Sequence, residues 1–378
     1  MSKKVGIITM HKVWNVGSAL QAYATQKIID DLGFSSELID YKYPNTEHSA
    51  FQGNIKEVKH CNIKNLIRVI LQKIKAKFTS RKINLYKEFY NNYFKCSPQE
   101  YKTRKSIIEN PPLYDIYVTG SDQVWNPKYI GFDTNYFLDF APDNKKKISY
   151  ASSFSSSTLS DYFSKLYAEK LKRFDAISVR ETTGQYLIEN MVGKKPEVVC
   201  DPTILLNEKE WTKIANASTI KPKEQYILVY ILGYAYNPYP EIYNYIERVN
   251  KELQLPVIYL NTIKGRLNNK FKEIKITNWG PIEFLYLIKN AKFVITDSFH
   301  GTAFSLNFST PFISCVKSKE SSDSRMLDLL RIVNAEDRAV TFNQNDEIIF
   351  DPLQDSTKTA LNNYRNKSLI YLKNSLEV

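Results

Sequence analysis

One of the chain's four histidines lies in the stretch Thr296-Asp297-Ser298-Phe299-His300-Gly301-Thr302. The apolar run Phe293-Val294-Ile295 leads into it, and an apolar segment from Ala303 to Phe308 follows. A strand that stops at a histidine and a glycine, then turns into a buried helix, presents polar groups at the carboxyl end of a sheet. Ligands of α/β proteins bind there. The helix amino terminus at Gly301-Thr302 would offer backbone N–H groups to an anion. His300 is also a side chain able to take up and release a proton near neutral pH. A lone histidine at a strand end is more often structural, but the polar residues crowded around this one favour chemistry.

Three more polar clusters sit where apolar runs end. His11-Lys12-Val13-Trp14-Asn15-Val16-Gly17-Ser18 precedes a helix that carries Gln21. It has a glycine at a strand-to-helix turn but neither GxGxxG nor GxxxxGK[ST], so a nucleotide fold is permitted without being signalled. Thr119-Gly120-Ser121-Asp122-Gln123-Val124-Trp125-Asn126-Pro127 gathers Asp, Gln and Asn around one tryptophan. That set suits a carbohydrate, whose hydroxyls would bond to the polar groups while a sugar face rests on the ring. Helix capping by Ser121 or Asp122 explains only one residue of it. Ser178-Val179-Arg180-Glu181 ends a strand on an arginine, which can grip a carboxylate or phosphate in a two-pronged fork or simply pair with Glu181. Ser324-Arg325, downstream of His300, is another candidate anion contact.

The elements that must position these clusters alternate. Val5–Met10 reads as a strand and Gly17–Leu32 as a helix, with further strands at 36–40, 116–119, 147–151, 176–179 and 197–200. A second series begins with a strand at 226–230 and a helix at 239–252. It continues with strands at 256–260, 293–296 and 311–315 and helices at 281–290 and 302–308. Strands separated by helices imply parallel sheets covered on both faces. The expected fold is therefore α/β, with two Rossmann-like doubly wound domains at 1–210 and 211–350. A C-terminal helix within 351–378 is expected to cross back to the first domain. Residues 63–82 form an insertion in which Ile63, Leu66, Ile67, Ile70, Leu71, Ile74 and Phe78 keep helical spacing among basic residues. Such a helix either lies on an anionic membrane surface or, more commonly, packs on its own domain with a solvated basic face.

A chain of 378 residues is long for one core, and 43% hydrophobic with 24% charged residues is ordinary for a globular protein. No run approaches the roughly 18 apolar residues that cross a bilayer, and Met1-Ser2-Lys3-Lys4 enters the first strand without a signal-peptide core. A cytoplasmic location is the expectation. The net charge of +12 suits an anionic substrate or a membrane carrying one as well as nucleic acid, and no nucleic-acid module is recognisable. Cys61, Cys96, Cys200 and Cys315 form no CxxC pair, so free thiols and no metal site are expected.

In this order, six segments resemble the polysaccharide pyruvyl transferase family. They are Asn15-Val16-Gly17-Ser18-Ala19-Leu20-Gln21-Ala22-Tyr23, Gly120-Ser121-Asp122-Gln123-Val124-Trp125-Asn126, Ser149-Tyr150-Ala151-Ser152-Ser153-Phe154, Ser178-Val179-Arg180-Glu181, Asp201-Pro202-Thr203 and Thr296–Gly301. The resemblance implies two Rossmann-like domains facing a cleft in a GT-B-like arrangement. It implies phosphoenolpyruvate as donor substrate, no separate cofactor, and as acceptor a sugar of a surface polysaccharide or its lipid-linked precursor. His300 is then the general acid/base and Arg180 a ligand of the donor's anionic groups. Ser298, Gly301, Thr302 and Arg325 complete the donor side, and Asn15, Gln21, Asp122, Gln123 and Trp125 form the acceptor side. Many family members have arginine two residues before this histidine, where the chain has Ser298; Arg325, or less readily Lys317, would supply the missing cation. Two other readings stay open. One is a GT-B-type glycosyltransferase using a nucleotide sugar, for which no ribose-binding carboxylate stands out. The other is a non-catalytic carbohydrate-binding homologue.

Overall fold

A computed structural model describes residues 2–43, 80–233, 236–261, 271–318, 325–342 and 346–377. The basic insertion at 63–82 falls outside these, except for its last three residues, where the helix Ser80–Tyr93 begins. The chain divides into two compact units, Met1–Leu205 with Lys367–Val378, and Leu206–Asn366. The first ends five residues before the limit at 210 read from the sequence. The long helix Asp355–Glu377 is shared between the units, and its part from Lys367 onward belongs to the first. There the Ser368 hydroxyl accepts the backbone N–H of Cys200.

The first unit is built on a parallel sheet of β1 (Lys4–Ile8), β2 (Ser35–Tyr41), β3 (Cys96–Tyr101), β4 (Ile116–Thr119) and β5 (Lys146–Ser149), in spatial order β3-β2-β1-β4-β5. A two-stranded parallel pair follows, β6 (Ser178–Val179) with β7 (Glu197–Val198). Every residue of β4 is buried, as expected for a parallel strand covered by helices on both faces. β3 was not legible as a strand. Its sequence, CSPQEY, is polar and contains Pro98, and it lies at the sheet edge, where proline and polar residues are tolerated.

The second unit repeats the plan with β8 (Ile227–Tyr230), β9 (Val257–Tyr259), β10 (Phe293–Thr296), β11 (Phe312–Cys315) and β12 (Ala339–Val340), in order β12-β11-β10-β8-β9 and all parallel. β8, β10 and β11 are buried throughout. In each sheet the strand order reverses beside the first strand: between β1 and β4 in one, between β8 and β10 in the other. Connections diverge to opposite sides there and leave a crevice at the carboxyl ends, the usual ligand position in this architecture.

Candidate functional site

At the crevice of the second unit, Thr296 ends β10 and Asp297 follows. The Asp297 carboxylate accepts the N–H groups of Leu232 (2.6 Å) and Gly233 (2.7 Å), just beyond β8, and so ties the two sides together. Burial raises its pKa above the usual carboxylate value, against the lowering effect of those N–H donors. The next helix is Phe299–Asn307, three residues earlier than the sequence pattern suggests, because Ser298 is its cap. The Ser298 hydroxyl accepts the Gly301 N–H at 3.3 Å, and the Ser298 carbonyl accepts that of Thr302. His300 thus sits inside the first helical turn, 9% exposed and edge-on to Phe299 at 5.2 Å. The guanidinium of Arg325 lies 5.7 Å from the Phe299 ring, so Arg325 is a neighbour of the His300 turn. Lys317 is exposed beyond β11.

Two expectations need correction here. Gly301 and Thr302 do not form an anion cradle, since their N–H groups are spent on Ser298 and the Thr302 hydroxyl is bonded to that of Ser314 (2.6 Å). Gly301 is required for packing instead: a Cβ at that position would stand 2.3 Å from the Thr296 hydroxyl oxygen. Ser298 likewise acts as a helix cap, its own N–H donating to the Thr296 hydroxyl.

At the crevice of the first unit, the turn after β1 leads to the helix Val16–Asp31, capped by Asn15, whose side chain accepts from Gly17 and Ser18. Gln21 is buried and donates to the Thr9 hydroxyl and the Ser18 carbonyl. Across the crevice, Asp122 adopts a left-handed backbone (φ 77°) and accepts the Ser18 hydroxyl. Arg180 is buried among three carboxylates: Asp201 at 2.7 Å, Glu181 at 3.9 Å and Asp122 at 4.0 Å. Burial opposes its charge, but the three acids outweigh that and hold the guanidinium ionised. Asp201 also accepts from Ser121 and Thr203, and Glu181 from Ser153 and the N–H groups of Phe154 and Ser155.

The structure therefore corrects the sequence reading in the first unit as well. Arg180, expected as a ligand of the donor's anionic groups, is 4% exposed and has Asp201, Glu181 and Asp122 as its charged neighbours. Trp125 is fully buried, stacked on Phe137 at 5.3 Å, with its indole N–H bonded to the Tyr136 carbonyl. It cannot serve as a sugar platform. Asn15 and Gln21 are engaged in holding the turn and helix. Asp122 borders the crevice, and Gln123, half-buried, accepts from Asn126. In the turn after β1, Trp14 is 49% exposed and backed by Tyr86 and Tyr90. Its signal in the sequence was its place in the polar turn after β1, which the more conspicuous cluster around Trp125 masked.

The family model for polysaccharide pyruvyl transferase matches residues 15–318, from the Asn15 cap through the His300 helix. The chain belongs to the polysaccharide pyruvyl transferase family. It is accordingly a transferase; the matched region includes Asp122, Arg180 and His300, while Trp14 precedes it and Arg325 follows it. No match was found among curated proteins. Among solved structures, a putative UDP-N-acetylglucosamine 2-epimerase from Listeria monocytogenes is similar with a TM-score of 0.50 at 10% identity, covering 96% of this chain and 94% of that one. The UDP-GlcNAc 2-epimerase of Methanocaldococcus jannaschii gives 0.48 at 12% identity, over 97% and 94% of the two chains. UGT89C1 of Arabidopsis thaliana gives 0.44 at 11%, over 100% and 95%. At 10% identity the first of these likenesses concerns the fold alone, an α/β architecture of the GT-B type. Among the described residues, no helix is long and apolar enough to cross a membrane.

Proposed function

We propose that the enzyme transfers the enolpyruvyl group of phosphoenolpyruvate to two hydroxyls of a sugar, in a surface polysaccharide or its lipid-linked precursor, forming a pyruvate ketal and releasing phosphate. The observation that carries this reading is His300, set at the β8/β10 crevice of a chain whose family is defined by pyruvyl transfer. Protonated His300 gives its proton to the methylene carbon of the donor, leaving an oxocarbenium-like C2. A sugar hydroxyl adds to C2 and returns a proton to His300. The C2–O bond to phosphate then breaks, and the second hydroxyl closes the ring. One hydroxyl proton ends on the new methyl group and the other on phosphate.

Arg325, beside the His300 turn, is the cation proposed for the donor's phosphate or carboxylate. On the acceptor side, Trp14 supplies the ring on which a sugar face rests, with Asp122 and Gln123 at the crevice for its hydroxyls. The basic chain favours both an anionic donor and an anionic lipid carrier. The test is incubation with phosphoenolpyruvate and a panel of lipid- and nucleotide-linked sugars, following phosphate release and the mass of the acceptor. Coupled phosphate release and a pyruvate-ketal mass gain support the reading. Turnover confined to a nucleotide sugar without phosphoenolpyruvate would replace it with glycosyl transfer, and binding without turnover would leave a carbohydrate-binding protein. Trp14→Ala should raise KM for the acceptor and leave KM for phosphoenolpyruvate unchanged; equal effects on both would remove Trp14 from the acceptor site.

A further inference from the structure

Where the turn after β1 passes the end of β2, three residues far apart in sequence meet. Among the described residues, the ligand atoms of His11, Asp40 and Cys96 all lie within 4.8 Å of one another. His11 is 1% exposed. Its Nδ1 lies 3.1 Å from the Thr9 carbonyl. A carbonyl only accepts, so the proton of a neutral ring sits on Nδ1 and Nε2 carries a lone pair. That Nε2 makes no hydrogen bond and stands 3.5 Å from Asp40 Oδ1. A lone pair facing a carboxylate in a buried place is unfavourable unless a positive centre lies between them. The Nδ1–H to carbonyl bond is the usual way a ligating histidine is oriented and its tautomer set.

We propose that His11 Nε2, one carboxylate oxygen of Asp40 and the Cys96 sulfur form a site for a divalent cation of the zinc class. One nitrogen, one oxygen and one sulfur suit zinc, and three protein ligands leave a fourth position for water. Lys12 holds the other oxygen, Asp40 Oδ2, at 2.6 Å. Its partly exposed ammonium thus orients the carboxylate without occupying Oδ1. On binding, the Cys96 thiol loses its proton to solvent and coordinates as thiolate. Because Cys96 begins β3 and His11 follows β1, the metal would pin the edge strand and the Asn15 turn to the sheet.

The experiment is titration of the chelator-treated full chain with zinc, and with cobalt(II) as a spectroscopic probe. The expected result is one tightly held ion per chain and a thiolate-to-cobalt charge-transfer band in the near ultraviolet. Zinc should also raise the thermal unfolding midpoint of the wild-type chain. Cys96→Ser should lose the band and weaken affinity by about 10-fold or more, while Cys61→Ser keeps both. If Cys96→Ser fails to fold, X-ray absorption of the zinc-loaded wild-type chain must show one sulfur and one imidazole ligand. Substoichiometric zinc, a cobalt spectrum without thiolate character, or an NMR signature of doubly protonated His11 in the zinc-treated chain would overturn the proposal. The last would leave an imidazolium–carboxylate pair in its place.

Discussion

Arg180 separates two accounts of the same residue. As an arginine ending a strand it has the right chemistry to bind phosphoenolpyruvate, but with Asp201, Glu181 and Asp122 around it the guanidinium is the counter-ion of a buried acidic cluster. Removing one partner of such a cluster leaves the others uncompensated in low dielectric, at a cost of about 3–5 kcal/mol. Arg180→Met is therefore expected to destabilise the chain strongly in urea, and pairing it with Asp201→Asn should recover part of the loss. Unchanged stability together with a raised KM for phosphoenolpyruvate would restore Arg180 to the donor site. Arg325 carries the opposite expectation. Arg325→Gln should raise KM for phosphoenolpyruvate several-fold without loss of stability, and an unchanged KM would remove it from the donor site.

At the scale of elements, the helix Phe299–Asn307 decides where His300 points. Ser298 caps it and Gly301 lets it press against Thr296. Ser298→Ala should cost about 1 kcal/mol, as the loss of a helix cap does, while Ser298→Asp keeps an acceptor and should cost less. Equilibrium unfolding compares them, and equal losses would show that the hydroxyl is not acting as a cap. This helix also shows what the sequence could convey. Apolar periodicity marks the helix from 302 to 308, but Phe299-His300-Gly301 reads as a loop, because the helical state of that turn depends on the Ser298 cap rather than on pattern. β3 was hidden for a related reason: an edge strand is selected by pairing with β2 and not by its own hydrophobicity. The central strands, buried on both faces, were plain as short apolar runs.

Across the whole molecule, each sheet reverses its strand order beside its first strand, and in each the polar clusters read from the sequence gather at that crevice. Position along the chain was legible because strand ends can be read one at a time. What each cluster does there was not, since burial and partnership are long-range facts. Trp125 and Trp14 lie in similar polar turns, yet one is a core residue and the other faces solvent. His11, Asp40 and Cys96 have no metal-like spacing and meet only because β1, β2 and β3 are neighbours. His300 carries the functional account. The direct measurement is kcat for ketal formation from phosphoenolpyruvate by His300→Gln against the wild-type chain, with urea unfolding as a control. The account predicts a fall of about 10²–10⁴-fold at nearly unchanged stability, and undiminished turnover by the folded variant would contradict it.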